Sequence, residues 1–302
     1  METSGNPYLN FEALWSRVGC VRLLQLLLGC TTFSLVQHQA GFSAAYGAFC
    51  IFVWCFCFAL TTIIVIFELT RLQSCLRNLS WGNFTATFAM LATLMTLTAA
   101  VIYPLYFVSL KCNSTDCSTR NYRLAVAVCA GLLCLAYSVE IYLTRARPGQ
   151  SCNYMATASG LLKVVQAFVA CVIFGALATE SQYKRYVATQ WCVVVYSFCF
   201  AVTVLVILMN VTGRAVTQRC PFERFVVVYT VLAIVMYMSA SVIWPVYCFD
   251  SKYGSPKRPS YCAWGRCPWD SQLVVTIFTH VNLVLYIADL AYTQRLRFVS
   301  HA

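Results

Sequence analysis

The sequence predicts an all-α integral membrane protein with eight transmembrane helices, arranged as two tandem four-helix bundles. Composition supports the membrane assignment, because 60% of the residues are hydrophobic and only 10% are charged, whereas soluble domains carry about 25% charged residues. The chain also repeats itself, since its second half restates the first at an offset of about 141 to 142 residues. A duplicated group of four hydrophobic helices accounts for both observations.

The eight predicted spans are apolar runs of the length that crosses the hydrocarbon core, which takes about 20 residues of helix. They lack the polar face that a helix of a soluble protein presents to water. The runs extend approximately over residues 18–36, 48–69, 84–108, 124–144, 158–178, 190–209, 225–247 and 273–292. The connections are short, so we expect no soluble domain. We also expect no cleaved signal peptide, so that the first span stays as an anchor.

The repeat defines the domain boundaries. Its matched elements lie inside the apolar runs. Three matches have the offset of about 141 to 142 residues: Arg22 and Gln25 with Lys163 and Gln166, FCFALT at 56–61 with FCFAVT at 198–203, and VIYPLY at 101–106 with VIWPVY at 242–247. A fourth, Tyr137 and Glu140 with Tyr286 and Asp289, has an offset of about 149. The repeating unit is therefore a group of four helices rather than a solenoid turn. We predict one membrane domain over residues 16–146 and a second over 154–298, joined on the cytosolic side.

Basic residues near the span ends predict the orientation, because cytoplasmic loops are enriched in Lys and Arg. With the N-terminus in the cytosol, the inner side carries more Lys and Arg than the outer side, and the first outer connection, residues 37–47, has neither. An even number of spans then places both termini in the cytosol. The basic residues either face anionic inner-leaflet lipid or merely set the topology, and both interpretations stay open.

Charged residues inside the spans are the first candidate site, because a buried charge is costly unless it is paired or reaches the interface. Arg22 and Lys163 open the first helix of each half, and Glu140 and Asp289 lie on the fourth helix at a similar depth. We predict that Arg22 pairs with Glu140 and that Lys163 pairs with Asp289. A local pairing of Glu140 with Arg145, or snorkelling to the interface, is the alternative.

Other polar and small residues in the spans have packing roles in this prediction. We expect Gln25 and Gln166 to make interhelical hydrogen bonds, each contributing about 1 kcal/mol. His280 and Asn282 have no partner at metal-ligand spacing, so we interpret them as packing residues. Small residues should let the helices approach closely, and the candidates are Gly29, Ala99, Gly131, Gly160, Gly175 and Ala240.

Cysteines and sequons supply candidate modification sites. Two pairs in predicted outer loops, Cys112 with Cys117 and Cys262 with Cys267, are candidate disulfides, although four cysteines allow three connectivities and Cys248 lies nearby. Candidate palmitoylation sites near the cytosolic interface are Cys20, Cys75, Cys152 and Cys220. Sequons occur at Asn78, Asn83, Asn113 and Asn210, and of these only Asn113 falls in a predicted outer loop.

Two matched segments fit a loose cholesterol-contact pattern, in which an aliphatic residue is followed by Tyr and then by a basic residue. They are residues 139–145 around Tyr142 and residues 290–295 around Tyr292. An aromatic and basic anchor at the interface explains the same residues equally well. We therefore expect membrane lipids as partners, with cholesterol as a candidate, and also other membrane proteins or further copies of the chain. We expect no nucleic acid.

A four-helix unit that opens with a basic residue and Gln, and that recurs in tandem, resembles the MARVEL membrane module. The chain is also similar to the myeloid-associated differentiation marker family, through WCFCF at 54–58, TRARPG at 144–149, YMATASGLLK at 154–163 and FDSKYG at 249–254. This resemblance covers essentially the whole chain. It implies two MARVEL domains and a role in organising ordered, cholesterol-rich membrane, membrane apposition and vesicle traffic. It carries over no catalytic residue.

The residues themselves favour a non-enzymatic protein. The sequence contains no GxSxG, HExxH or GxxxxGK pattern, so it predicts no catalytic, cofactor-binding or metal site. A small-solute transporter or channel is the alternative, because many transporters are built from repeated halves. Neither half shows a glycine-interrupted helix pair at mid-bilayer, which argues against it. We expect a multi-pass protein of the plasma membrane or of secretory-pathway vesicles.

Overall fold

A computed structural model describes residues 9–41, 44–76, 78–108, 117–145, 154–178, 182–214, 219–260, 262 and 267–301 of the chain. Within these ranges the chain is helical and contains no strand. Eight of its helices are long and apolar enough to cross a membrane. The all-α, eight-span prediction is therefore confirmed. The chain divides into two compact units, unit 1 over Met1–Ala156 and unit 2 over Thr157–Ala302.

Unit 1 contains a short helix and four long ones. Their bounds are α1 Phe11–Trp15, α2 Arg17–Leu35, α3 Ala44–Leu69, α4 Trp81–Phe107 and α5 Cys117–Thr144. Each long helix packs against the next, and α5 returns to pack against α2, which closes a four-helix bundle. Ser16 caps α2, because its hydroxyl accepts a hydrogen bond from the Gly19 backbone N–H at 2.9 Å.

Unit 2 repeats this arrangement with α6 Ala158–Ala178, α7 Val187–Val211, α8 Arg219–Phe249 and α9 Pro268–His301. Here α6 packs against both α7 and α9, and α8 packs between α7 and α9. The order of packing is the same as in unit 1, as a tandem duplication requires. The longest helix, α9, is 34 residues, so it extends beyond the 27-residue stretch Pro268–Gln294 that is apolar enough to span a membrane.

Aromatic side chains fill much of both cores. In unit 1 the rings of Trp54 and Tyr103 meet edge to face with centroids 5.4 Å apart, and neither residue is exposed. In unit 2 the buried rings of Tyr237 and Tyr286 lie 5.3 Å apart. Large side chains of this kind carry most of the van der Waals contact that holds apolar helices together in lipid.

The small-residue prediction is correct at some positions and wrong at others. Ala99 and Ala240 are completely buried, Gly160 is buried, and a Cβ on Gly29 would lie 3.7 Å from the side chain of Phe58 on α3. Gly131 and Gly175 do not serve close approach, because no described atom of a neighbouring helix lies within 4 Å of the place a Cβ would take. Both glycines face away from the centre of their bundle, and composition alone does not reveal which way a helix is turned.

Candidate functional site

One end of unit 1 contains a buried charge cluster formed by Arg22, Gln25, Glu68 and Glu140. Arg22 donates from Nε to Glu140 Oε1 at 2.7 Å and from Nη1 to Glu68 Oε2. Gln25 donates from Nε2 to the other Glu140 oxygen at 2.8 Å. The side chains come from α2, α3 and α5, so the cluster joins three helices through charge-assisted hydrogen bonds.

The predicted pair of Arg22 and Glu140 is therefore brought together across the bundle. Both residues are almost fully buried, at 3% and 2% exposure. The local alternative does not describe the structure, because the Glu140 oxygens face Arg22 and Gln25 while Arg145 lies exposed at the end of α5. Two charges this deep are tolerated because each finds an opposite charge and further hydrogen bonds.

Glu68 is the member of this cluster that sequence reasoning missed. Its side chain is 21% exposed, and its second oxygen accepts a hydrogen bond from Trp81 Nε1 at 3.0 Å. Trp81 begins α4, so all four long helices of unit 1 contribute to the cluster. A signal was present in the sequence, since Glu68 is a carboxylate in the last turn of an otherwise apolar span. The offset between FCFALT and its copy FCFAVT aligns Glu68 with Asn210.

Unit 2 has the matching cluster, formed by Lys163, Gln166, Thr230 and Asp289 together with Ser159. Lys163 Nζ lies 2.7 Å from Asp289 Oδ2 and donates to Thr230 Oγ1 at 3.1 Å. Ser159 donates to the other Asp289 oxygen, and Gln166 Nε2 donates to Oδ2 at 3.3 Å. The predicted pair of Lys163 and Asp289 is thus also brought together, with 0% and 1% of the two side chains exposed.

The two clusters differ in charge. Unit 1 holds one cation against two carboxylates, whereas unit 2 holds one cation against one carboxylate. In unit 2 the ammonium also lies 5.2 Å from the centre of the Tyr229 ring and 5.5 Å from that of Tyr286, so aromatic faces supply the remaining stabilisation. The position that aligns with Glu68 carries Asn210, whose amide turns back to Val206 O of its own helix at 2.8 Å.

Polar side chains continue into the middle of unit 2. Thr203 lies within hydrogen-bond distance of the hydroxyls of Tyr229 and Tyr286, at 2.8 and 2.9 Å. Further along the bundle, Asn282 donates to the hydroxyl of Tyr237 at 2.7 Å, and Tyr196 pairs with Thr279 at 2.8 Å. These groups form a polar column along the interior of unit 2. Asn282 therefore has the packing role predicted for it, whereas His280 is exposed.

The candidate disulfide Cys262–Cys267 is present, with the two Cα atoms 5.2 Å apart. Cys248, considered as a competitor, is buried at the end of α8. The other candidate pair lies outside the description, because Cys112 falls between the described ranges and the side chain of Cys117 is not described. Among the described residues, no three His, Cys, Asp or Glu side chains come together as metal ligands would.

Some candidate modification sites lie in the described part of the chain and others lie outside it. Cys20 and Cys75 are exposed, as acylation requires. Cys152, Asn113 and the side chain of Cys220 lie outside the described part of the chain. The sequon residues Asn83 and Asn210 are buried in their bundles, and Asn83 accepts a hydrogen bond from the Met155 backbone N–H at 3.0 Å. Both therefore have structural roles in this fold.

Comparison with known proteins agrees with this architecture. The MARVEL family, described as a membrane-associating domain, matches residues 13–143 and again 154–292. The protein is 76% identical to myeloid-associated differentiation marker-like protein 2 of Xenopus laevis, and the match covers 99% of each chain. It is 62% identical to the human protein of that name over 99% of this chain and 98% of the relative.

A more distant relative is the human myeloid-associated differentiation marker, which is 40% identical over 96% of this chain and 91% of its own length. No solved structure matches the chain. The two MARVEL matches, the eight apolar helices and the full-length similarity confirm the resemblance that the sequence motifs indicated. The chain belongs to the MARVEL membrane-associating family and, within it, to the myeloid-associated differentiation marker proteins, which makes it a multi-pass membrane protein.

Proposed function

We propose that the protein is non-enzymatic and organises ordered, cholesterol-rich membrane at sites of membrane apposition or vesicle traffic. The observation that carries this proposal is the distribution of charge and apolar surface. Both units bury an ion pair inside the bundle, Arg22 with Glu140 in unit 1 and Lys163 with Asp289 in unit 2, and they present large apolar side chains outward. Leu105 is 74% exposed, Leu27 is 68% exposed and Val228 is 67% exposed. In a membrane such a surface contacts lipid, so the lipids around the protein are its most extensive partners.

Exposed tyrosines support a role for cholesterol. Tyr142 at the end of α5 is 79% exposed, and its counterpart Tyr292 on α9 is 46% exposed. Both stand on outward helix faces, and the aliphatic Val139, one turn before Tyr142, is also exposed. A flat sterol ring can pack on such a face while its hydroxyl reaches the interface. We propose these two faces as sterol contacts.

The proposal is tested by measuring where the full chain partitions in plasma-membrane vesicles that separate into ordered and disordered phases. We expect enrichment in the ordered phase, and loss of much of it in the double variant Tyr142→Ala with Tyr292→Ala. The matched control is Tyr46→Ala with Tyr106→Ala. These tyrosines stack on each other at the opposite end of unit 1 and are 37% and 44% exposed. Uniform partitioning of the unsubstituted chain would contradict the proposal.

Direct sterol contact has its own readout. A photoactivatable cholesterol analogue should label the chain in cells, and the labelled peptides should contain residues 139–145 or 290–295. The same double variant should lower the labelling, while the control variant should leave it unchanged. Labelling spread evenly over all eight helices would show general lipid exposure and would contradict the specific contact.

Transport is the second candidate, and the polar column of unit 2 is the observation that favours it. Hydroxyl and amide groups follow one another along that bundle, from Asp289 through Tyr286 and Asn282 to Thr279. The buried acceptors Gln166 Oε1 and Asn282 Oδ1 have no partner among the described groups, and a polar solute or water could meet them. Flux of a labelled solute into liposomes that contain the purified protein, above empty-liposome background, would replace the organiser proposal.

Membrane attachment and orientation complete the proposal. We propose that both termini face the cytosol, that Cys20 and Cys75 are acylated there, and that Asn113 is glycosylated on the outer side. The signal in a hydroxylamine-dependent acyl-exchange assay should fall when Cys20 and Cys75 are replaced by Ser. Epitope tags at the two ends should be accessible only after the plasma membrane is permeabilised. A tag accessible in intact cells would overturn the orientation.

A further inference from the structure

Unit 2 contains a cavity of about 320 Å³ at the end of the bundle opposite its charge cluster. The walls come from the end of α6, the connection between α6 and α7 with the start of α7, the end of α8, the start of α9 and the loop between α8 and α9. This volume lies at the lower end of the range of roughly 300–1,000 Å³ that small-molecule sites occupy. The predicted orientation places this end on the outer surface of the membrane.

The loop that covers the cavity is held by several contacts. Gly254 packs on the end of α8 so closely that a Cβ would lie 2.0 Å from the Cys248 carbonyl oxygen, so only glycine fits. Ser255 then donates its backbone N–H to that carbonyl at 3.1 Å and accepts from Trp269 Nε1 at 3.0 Å. The Cys262–Cys267 disulfide closes the loop onto α9. These contacts fix the described residues of the loop and give the cavity a defined shape.

A salt bridge outside the cavity adds to this support. Arg258 donates from Nε and Nη2 to the two carboxylate oxygens of Asp270, at 2.8 and 3.0 Å. This bidentate pair links the loop to the first turn of α9, and donation of these hydrogen bonds to the Asp270 carboxylate raises the pKa of Arg258. The charges of Arg258 and Asp270 therefore pair with each other and hold the loop on α9.

Aromatic side chains form one wall. Tyr247 and Tyr253 stack with ring centroids 4.8 Å apart, and Tyr186 lies 5.2 Å from Tyr247. The Tyr186 hydroxyl donates to the Tyr253 carbonyl at 3.2 Å, which fixes the rings against one another. Trp244 closes the base of the cavity and donates to the Gln272 carbonyl at 3.2 Å. Tyr186, Tyr247 and Tyr253 all line the cavity, and aromatic side chains in such a position suit contact with the C–H groups of a sugar ring.

Two cations line the same cavity. Arg185 lies with its Cζ 5.4 Å from the centre of the Tyr186 ring, and Lys252 lies with its Nζ 5.3 Å from that of Tyr253. Among the described residues neither cation forms an ion pair, and no carboxylate lines the cavity. The rings hold both charges beside the opening and leave their N–H donors available to an anion.

We propose that this cavity binds the head group of an anionic glycolipid, in which a sugar ring carries a sulfate or phosphate. The ring packs on the tyrosine wall, and the oxyanion accepts hydrogen bonds from Arg185 and Lys252. A lipid is the source of this head group because the cavity lies at the ends of the apolar stretches Val187–Val211, Phe222–Phe249 and Pro268–Gln294, where we expect the helices to leave the membrane. This inference goes beyond the proposed membrane role, since it concerns recognition at one site rather than the partitioning of the whole chain.

The test uses the purified full chain in detergent and three probes. They are sulfated galactosylceramide, uncharged galactosylceramide and free galactose 3-sulfate, and bound lipid is counted by native mass spectrometry. We expect the sulfated lipid to bind about tenfold more tightly than the uncharged lipid, which is what one charge-assisted hydrogen bond supplies. Arg185→Gln with Lys252→Gln should reduce its binding to the level of the uncharged lipid.

The matched control is Lys184→Gln with Lys257→Gln, which removes the same charge from the same loops at positions that do not line the cavity. This variant should keep the preference for the sulfated lipid, and thermal unfolding should show both double variants folded. Equal binding of the sulfated and uncharged lipids by the unsubstituted chain would overturn the inference. So would equal losses in the two variants, or free galactose 3-sulfate binding as tightly as the lipid.

Discussion

Unit 1 and unit 2 bury charge at equivalent places in their two bundles, but the groups around each ion pair differ. Both put a cation on the first helix and a carboxylate on the fourth, 2.7 Å apart in each unit. Unit 1 adds the carboxylate of Glu68 and the indole of Trp81, whereas unit 2 adds the hydroxyls of Ser159 and Thr230. The pair between the first and fourth helices is thus the common element, and the groups around it vary.

The interiors of the two bundles differ more than their charge clusters do, because the middle of unit 2 is polar and the middle of unit 1 is mainly apolar. In unit 2, Tyr229, Tyr237 and Asn282 build the polar column, and the repeat aligns them with Phe88, Thr96 and Leu133 of unit 1. Among its described residues, unit 1 keeps one hydroxyl pair at this depth, Thr61 with Tyr137 at 2.7 Å. The same helix packing therefore holds with an apolar or a polar interior, because each buried hydroxyl in unit 2 finds a partner inside the bundle.

The comparison predicts that losing the cation has the largest effect and that rescue differs between the units. Lys163→Met leaves Asp289 buried without its counter-charge and should cost about 3–5 kcal/mol of unfolding free energy. Asp289→Asn in the same chain should recover most of this loss, because unit 2 has one carboxylate in its cluster. Unfolding of the purified protein by SDS titration measures both effects.

Arg22→Met should cost a similar amount in unit 1, about 3–5 kcal/mol. Here Glu140→Gln alone should rescue only partly, since Glu68 remains charged, and the triple variant with Glu68→Gln should recover the rest. The same SDS titration compares the three chains. Full rescue by Glu140→Gln alone would show that Glu68 is not part of the cluster and would remove the difference between the two units.

Removing one hydroxyl should have an intermediate effect that is larger in unit 1. Tyr286→Phe should cost about 1 kcal/mol, because Thr203 and Tyr229 each lose one contact but still bond to one another at 2.8 Å. The matched change in unit 1, Tyr137→Phe, should cost about 2 kcal/mol, because Thr61 loses its one side-chain partner among the described residues. Chemical unfolding of both variants gives the comparison, and equal costs would mean that the polar column does not compensate for a lost contact.

The smallest effect is expected for Glu68→Gln, at about 1 kcal/mol or less, because the Glu68 side chain is partly exposed. Arg22 keeps its pair with Glu140, and the new amide oxygen still accepts from Trp81, so unit 1 comes to resemble unit 2. Glu223→Gln, a carboxylate exposed on α8, is the control for a simple change in net charge. A loss for Glu68→Gln as large as that for Arg22→Met would assign the main pairing to Glu68 instead of Glu140.

Sequence reasoning was strongest where the signal is local. The eight helices follow from long apolar runs, and the two ion pairs follow from charges that lie at matched depths in both halves. It was weaker for Glu68, whose place in the cluster depends on how α3 is turned toward α2 and α4. It failed at Gly131 and Gly175 for the same reason, since these glycines lie on helix faces that no described neighbour approaches.

The order of the amino acids alone specifies the membrane environment, the number of spans, the duplication and the family, because apolar length and motif spacing can be taken directly from it. Tertiary packing was needed to establish which faces of the helices meet, that Glu68 joins Arg22, and that a polar column and an aromatic, basic cavity form in unit 2. This is because a helix that is apolar on all sides has no polar face to mark its lipid side. Its rotation is set by packing and hydrogen bonding with its neighbours.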